Sequence, residues 1–388
     1  MEFIDWRELY AANRAVIEGR NVPADPDVIE GHAVAAGPTT ERVTMARPAL
    51  LPGPGAFRPA PRLPDLAVSL PGLRLPGQSD GAGIARSPGH MVEHHDGRRS
   101  RPVRVHVPDG LDPATPAPLV VALHGCTQTA ATFAAGALLD QEADRHGFVV
   151  AYPEQLREDN AQGCWNWFTA EHQARGGGEP AFIAGATCAV MAEASRWTID
   201  PQRVFVVGMS AGGAMASVLA ATHPDVFAAV AVHSGLAYGT ARTLPSALQA
   251  MRQGGPDPDA QGRSAFAAMG PAARVVPAVI VHGTADQVVC PVNGEHAVRQ
   301  WLATNHLAGG DAADVARPDA VVRDDAAGRL PQTRRTWTDA AGQVLVEHVE
   351  IEGLGHAWSG GAPGGSYTDP RGPSASAAIW DFFARVSA

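Results

Sequence analysis

The chain has 388 residues, 45% of them hydrophobic, and a formal net charge of −10 at pH 7, enough length and apolar content to bury one large α/β domain with additional material. The acidic balance, with no Lys/Arg run, excludes an electrostatic partnership with nucleic acid. No apolar stretch reaches the about 18 residues needed to cross a bilayer.

The opening Met1-Glu2-Phe3-Ile4-Asp5-Trp6-Arg7-Glu8 is charged where a signal peptide would have an apolar core, so a cytoplasmic address is expected. Residues 3–18 place Phe3, Trp6, Leu9, Tyr10, Val16 and Ile17 at roughly helical spacing, which predicts an amphipathic helix within an N-terminal region 1–36. Through 37–90 prolines and glycines recur with little periodicity, as in a partly extended linker. A folded domain is expected over 91–388.

Within it, apolar runs alternate with helical patterns. Strands are expected at 102–107, 119–123, 148–152, 204–207, 227–232, 275–282 and 343–351, with a helix after the second strand, a long helix at 180–197 and a closing helix at 374–386. Continuous apolar strands alternating with helices predict an α/β fold with a mostly parallel sheet covered on both faces.

The run Val204-Phe205-Val206-Val207 leads into Gly208-Met209-Ser210-Ala211-Gly212 and then small helical residues. This is the pattern of a strand–serine–helix corner in which flanking side chains would clash, hence the glycines. Serine at such a corner is a nucleophile candidate. It needs a general base, and the base needs an acid to fix its tautomer. The expected order is Ser, Asp, His. Asp286 follows the strand ending Val281-His282, and His356 follows the last strand in the glycine-flanked Gly355-His356-Ala357-Trp358. Both then lie at the carboxyl edge of the sheet, where open α/β sheets gather their chemistry. His124, His233 and His282 sit at strand ends and read as structural.

An oxyanion needs two backbone donors, one from the residue after the nucleophile and one from a loop after an early strand. Ala211 supplies the first, and Cys126 in His124-Gly125-Cys126-Thr127-Gln128 supplies the second, through its N–H rather than its thiol. Trp165, Trp167 and Trp358 fall in loops at the same edge, either as buried structural aromatics or as an apolar wall for an acyl chain. The four cysteines, Cys126, Cys164, Cys188 and Cys290, allow three two-bridge pairings. Most are expected to be reduced, with a Cys126–Cys164 bridge kept open because both flank the site. No Cys-x-x-Cys or His-Glu-x-x-His occurs, so neither a metal nor another cofactor is expected.

These residues resemble the polyhydroxybutyrate depolymerase family of esterases, which also takes in feruloyl and acetylxylan esterases. The matching pieces are Leu123 to Gln128, Tyr152-Pro153-Glu154-Gln155, Cys164-Trp165-Asn166-Trp167, Arg203 to Gly213, His282 to Asp286 and Gly355 to Gly361, spread over about residues 95–388. The resemblance implies the α/β-hydrolase fold, serine ester hydrolysis and the triad Ser210, Asp286 and His356 already reached from spacing. The expected substrate is a short-chain 3-hydroxyalkanoate ester, as soluble oligomer, small ester or amorphous polymer. Crystalline polymer is expected to be a poor one, because no polymer-gripping module follows the domain. Feruloyl or acetylxylan ester hydrolysis is the alternative. A non-catalytic granule-surface protein is a further one. The helix at 3–18 is either a granule dock or packed on the domain.

Overall fold

The computed structural model describes residues 89–95, 100–193, 195–310 and 316–387. The expected helix at 3–18 and nearly all of the expected linker lie outside the described residues.

Among the described residues, twelve strands and eight α-helices follow in chain order: β1 (His90–His95), β2 (Ser100–His106), β3 (Ala117–Leu123), α1 (Ala130–Ala137), α2 (Leu139–His146), β4 (Val149–Tyr152), α3 (Gly178–Met191), β5 (Ile199–Met209), α4 (Ala211–Thr222), β6 (Ala229–His233), α5 (Leu244–Gln253), α6 (Pro258–Met269), β7 (Ala278–Gly283), α7 (Val292–Leu307), β8 (Ala320–Asp324), β9 (Gln332–Thr338), β10 (Val344–Ile351), β11 (Trp358–Ser359), β12 (Thr368–Asp369) and α8 (Ala375–Val386). Ten strands form one sheet in the order β1-β2-β4-β3-β5-β6-β7-β10-β9-β8. The six central strands from β4 to β10 are parallel, and an antiparallel pair closes each edge.

Side chains of a strand alternate between faces, and here they divide the core in two. Leu119, Val121 and Leu123 belong to one apolar cluster with Val204, Val206 and residues of α3 to α7. Val120 and Ala122 belong to another with Phe205, Val207 and residues of α1, α2 and α8. A sheet buried on both faces explains why the central strands read as unbroken apolar runs. Every residue of α4 is buried, and its small side chains let it lie against the sheet. On the other face Phe148 stacks on Trp380 and Phe205 on Phe383.

Several expected boundaries move. The helix expected after β3 is two helices, broken where Leu138 turns left-handed at φ 63°. The helix expected at 180–197 spans Gly178–Met191 instead. The strands β1, β8, β9, β11 and β12 and the helices α5, α6 and α7 were not among the expected elements. β8 is exposed throughout and β9 is largely polar, so neither offers an apolar run to read. β9 is held partly by charge: Arg334 reaches the fully buried Glu347 of β10 at 3.3 Å, and Arg385 of α8 reaches the same carboxylate at 2.7 Å. Among the described residues no helix is long and apolar enough to cross a membrane.

The sheet also buries neutral histidines. Burial holds His233 and His348 at a pKa of about 3, with His282 adding repulsion to both. An unfolded histidine titrates near 6.5, so below that pH the unfolded chain binds protons that the folded chain refuses. Stability is fully present above about pH 6.5 and is lost as pH falls toward 3, by roughly 3 kcal/mol per pH unit for the two groups together. The urea unfolding midpoint is therefore expected to be clearly lower at pH 5 than at pH 7.5. Equal midpoints would show that these imidazoles are not held neutral.

Candidate active site

Four adjacent or near-adjacent parallel strands deliver the site from their carboxyl ends: β3 leads to Cys126, β5 to Ser210, β7 to Asp286 and β10 to His356. At the end of β5 the chain reverses directly into α4. A Cβ on Gly208 would lie 2.2 Å from the Gly212 carbonyl, and one on Gly212 would lie 2.2 Å from Leu123 O. No backbone atom can yield that far. The two glycines let strand, helix and β3 approach, and Ser210 at the corner takes φ 57°, ψ −120°, a conformation that a side-chain-bearing residue holds only when its surroundings impose it. Hydrogen bonds from Ser210 N to His233 O and from Ala214 N to Ser210 O, both 2.9 Å, fix it there.

Asp286 occupies the turn after β7 with its side chain fully buried. Its Oδ1 accepts from Val288 N and Val289 N at 3.0 Å, and its Oδ2 lies 2.8 Å from His356 Nδ1. Burial opposes ionisation of this carboxyl. The adjacent His356 imidazole, with His282 and the Val289 N–H, outweighs burial and holds the pKa below the usual carboxylate range. An ionised carboxylate can only accept, so His356 Nδ1 carries the proton and Nε2 is left with its lone pair. His282 Nε2 donates to Val289 O at 2.8 Å, bracing the same turn. Ser210 and His356 line one cavity together with Gly125, Cys126, Trp167 and Tyr367.

The β3 loop comes close to the serine: a Cβ on Gly125 would sit 3.5 Å from Ser210 Cβ. Within this loop Gly125 N donates to Gln128 Oε1, Thr127 N to Gln162 O and Gln128 N to Gly125 O. The Cys126 N–H is left over. Ala211 N belongs to the first turn of α4, where backbone donors have no partner inside the helix. These are the two N–H groups expected from the sequence. His124 takes no part: its Nε2 accepts from Gln155 N and its Nδ1 donates to Gly125 O.

Cys126 is bonded to Cys164, and among the described residues Cys188 and Cys290 are free. This is the bridge that the sequence leaves open; it corrects the expectation that Cys126 matters only for its N–H, and two of the four cysteines rather than most are free thiols. The bridge ties the loop after β3 to the Cys164-Trp165-Asn166-Trp167 loop, which the buried Glu179 carboxylate also grips, accepting from Gln155 Nε2, Asn166 N and Asn166 Nδ2.

The expected aromatic wall is corrected in two of its three members. Trp167 lines the cavity. Trp165 is fully buried and donates from Nε1 to His124 O, a structural strut. Trp358 is likewise buried, stacks on His233 and donates to Ser376 Oγ. The wall is instead completed by residues absent from the sequence reading. Leu244, Ala247, Leu248 and Met251 present one face of α5 to the cavity, beside Val288. The capping box of Thr243 with Ser246 announces that helix and could have found it. Tyr367, across the cavity, carries no comparable signal.

Because Gly212 has no room for a methyl group, Gly212→Ala is expected to lower the unfolding free energy by about 3 kcal/mol or more. A wild-type midpoint in urea would show that the crossing can relax.

With this geometry in hand, a family model described as Esterase PHB depolymerase matches residues 105–325. The chain is 39% identical over 256 residues to poly(3-hydroxyalkanoate) depolymerase C of Paucimonas lemoignei, covering 65% of this chain and 57% of that protein. It is 32% identical over 227 residues to feruloyl esterase B of Thermothelomyces thermophilus, covering 56% of this chain and 75% of that one. The solved acetyl xylan esterase from Aspergillus awamori superposes with a TM-score of 0.58 at 23% identity, over 73% of this chain and 93% of that chain. The fold they share is the α/β-hydrolase fold. The alignment thus spans little more than half the length of the Paucimonas relative. With more than half of its own residues inside the family model, the chain belongs to the Esterase PHB depolymerase family.

Proposed function

We propose that the protein is a serine carboxylesterase that cleaves short-chain 3-hydroxyalkanoate esters, as oligomers or amorphous polymer, through an acyl-enzyme. The observation that carries this reading is the buried Asp286 carboxylate bonded to His356 Nδ1, with His356 opening on the same cavity as the strained Ser210. Similarity to the Paucimonas depolymerase supports the substrate class.

The chemistry follows from the donors and acceptors in place. Ser210 Oγ forms a bond to the ester carbonyl carbon while its proton passes to His356 Nε2, and Asp286 stabilises the imidazolium that results. The carbonyl oxygen, now negative, accepts from the Cys126 and Ala211 N–H groups; loss of one such donor typically costs about 100- to 1,000-fold in rate. Collapse breaks the carbon–alkoxy bond, and the proton returns from His356 to the departing alcohol. Water then repeats the sequence on the acyl-serine and frees the acid. Burial keeps Asp286 out of water, so its charge acts on His356 in a medium of low dielectric.

Hydrolysis of feruloyl or acetylxylan esters needs the same machinery and is the second reading, favoured by the likeness to the Thermothelomyces feruloyl esterase. Rates on hydroxybutyrate trimer and on methyl ferulate, measured side by side, are expected to favour the trimer; the reverse order would replace the first substrate class by the second. Ser210→Ala is expected to lower kcat on p-nitrophenyl butyrate by more than about 1,000-fold, and Asp286→Asn by about 10,000-fold, with circular dichroism unchanged. Full activity in the serine variant would rule out the mechanism.

A further inference from the structure

The cavity is not uniform. One wall is apolar, formed by Leu244, Leu248 and Met251 of α5 with Val288 and Trp167. Met251 and Val288 pack on the apolar cluster of one sheet face, whereas Tyr367 packs on the cluster of the other. The second wall carries two hydroxyls, Thr127 Oγ1 and Tyr367 OH, 3.4 Å apart.

Both hydroxyl residues are held in the left-handed region, Thr127 at φ 65° and Tyr367 at φ 52°. For a β-branched and for a bulky aromatic residue this costs on the order of 1–3 kcal/mol each. The surroundings impose it: Thr127 N donates to Gln162 O, Gln128 Nε2 to Ser366 O and Trp358 N to Tyr367 O. Those ties bring the segment after His356 back over the cavity, so that the Tyr367 ring stands edge-on to the His356 ring at 6.4 Å. At 3.4 Å the two hydroxyls bond only weakly to each other, and each retains capacity for a third partner.

Resting on the esterase reading above, we infer that the Thr127–Tyr367 hydroxyl pair binds the alcohol side of the ester, and that the α5 wall binds the acyl side. The proton for the leaving oxygen comes from His356, and Tyr367 is the hydroxyl-bearing side chain whose ring contacts His356. The departing alkoxy group therefore lies toward the hydroxyl pair, and the acyl chain extends along the face of α5. The substrate class is an ester with a short apolar acyl chain and an alcohol that carries its own hydrogen-bonding group a few atoms from the scissile oxygen. The alcohol side of an ester between hydroxyacid units has that form, the next carbonyl serving as the acceptor.

Two butyrate esters with the same secondary alkoxy centre test this: methyl 3-(butyryloxy)butanoate, with a distal carbonyl, and sec-butyl butyrate, without one. The wild-type protein is expected to prefer the first in kcat/KM. Tyr367→Phe, which removes only an oxygen, is expected to reduce that preference about tenfold, the equivalent of one hydrogen bond of about 1.4 kcal/mol. Leu248→Phe, which narrows the other wall, is expected instead to shift the ratio of p-nitrophenyl hexanoate to acetate hydrolysis toward acetate. No wild-type preference, or a ratio unaltered by Tyr367→Phe, overturns the inference. Equal losses on both butyrates would make Tyr367 a support for His356 and overturn it as well. An exchange of the two effects would reverse the sides. Failure of the wild-type protein to cleave any of the four esters overturns the esterase reading and this inference with it.

Discussion

The close crossing of β5, α4 and β3 at Gly208, Gly212 and Leu123 is the constraint on which everything at the rim depends. Two missing side chains permit a strand to reverse into a helix without a connecting loop, and the reversal leaves Ser210 nowhere to go but outward into the cavity. The same crossing puts the first turn of α4 next to the serine and brings the β3 loop alongside, so the proposed nucleophile and the two proposed oxyanion donors are set by one packing event. Their relative positions then vary only if the core itself moves, and close-packed interiors resist such movement.

Charge is handled by a different device. The carboxylate of Asp286 is taken wholly out of water, which would be costly for an isolated anion. Three hydrogen bonds compensate, two from backbone amides of its own turn and one from His356. Around it the protein places two buried imidazoles: His233 fixes the strand beyond His356 by accepting from Ser359 N, and His282 braces the Asp286 turn. Burial lowers the proton affinity of both, and each contributes a hydrogen bond that orients the site.

The parts legible in the sequence were those with a steric or periodic signature. Gly208 and Gly212 flank a serine because nothing larger fits. The apolar runs at 119–123 and 204–207 announce central strands because both faces are covered. Asp286 and His356 were located by following such strands to their ends. What stayed hidden had no local signature. β9 is a polar strand stabilised by Arg334 and Glu347 across the sheet, a long-range contact that no window of residues displays. Trp165 and Trp358 share the loops of the site, yet their indole N–H groups are satisfied inward, by His124 O and Ser376 Oγ; position along the chain does not reveal which way a ring points. Tyr367 comes near His356 only through the pairing of β11 with β12.

The Cys126–Cys164 bond spans 38 positions of sequence and closes a covalent ring that contains α1, α2 and β4. Chain-entropy arguments put the restriction of the unfolded ensemble by a ring of this size at roughly 4 kcal/mol. The ring also has a topological effect. The outer hairpin of β1 and β2 docks on β4, so fraying that begins at this border of the sheet meets a cross-linked segment before it reaches the residues around Ser210. Amide exchange should accordingly divide there, with the border opening as a separate cooperative unit and the interior exchanging only through deeper unfolding.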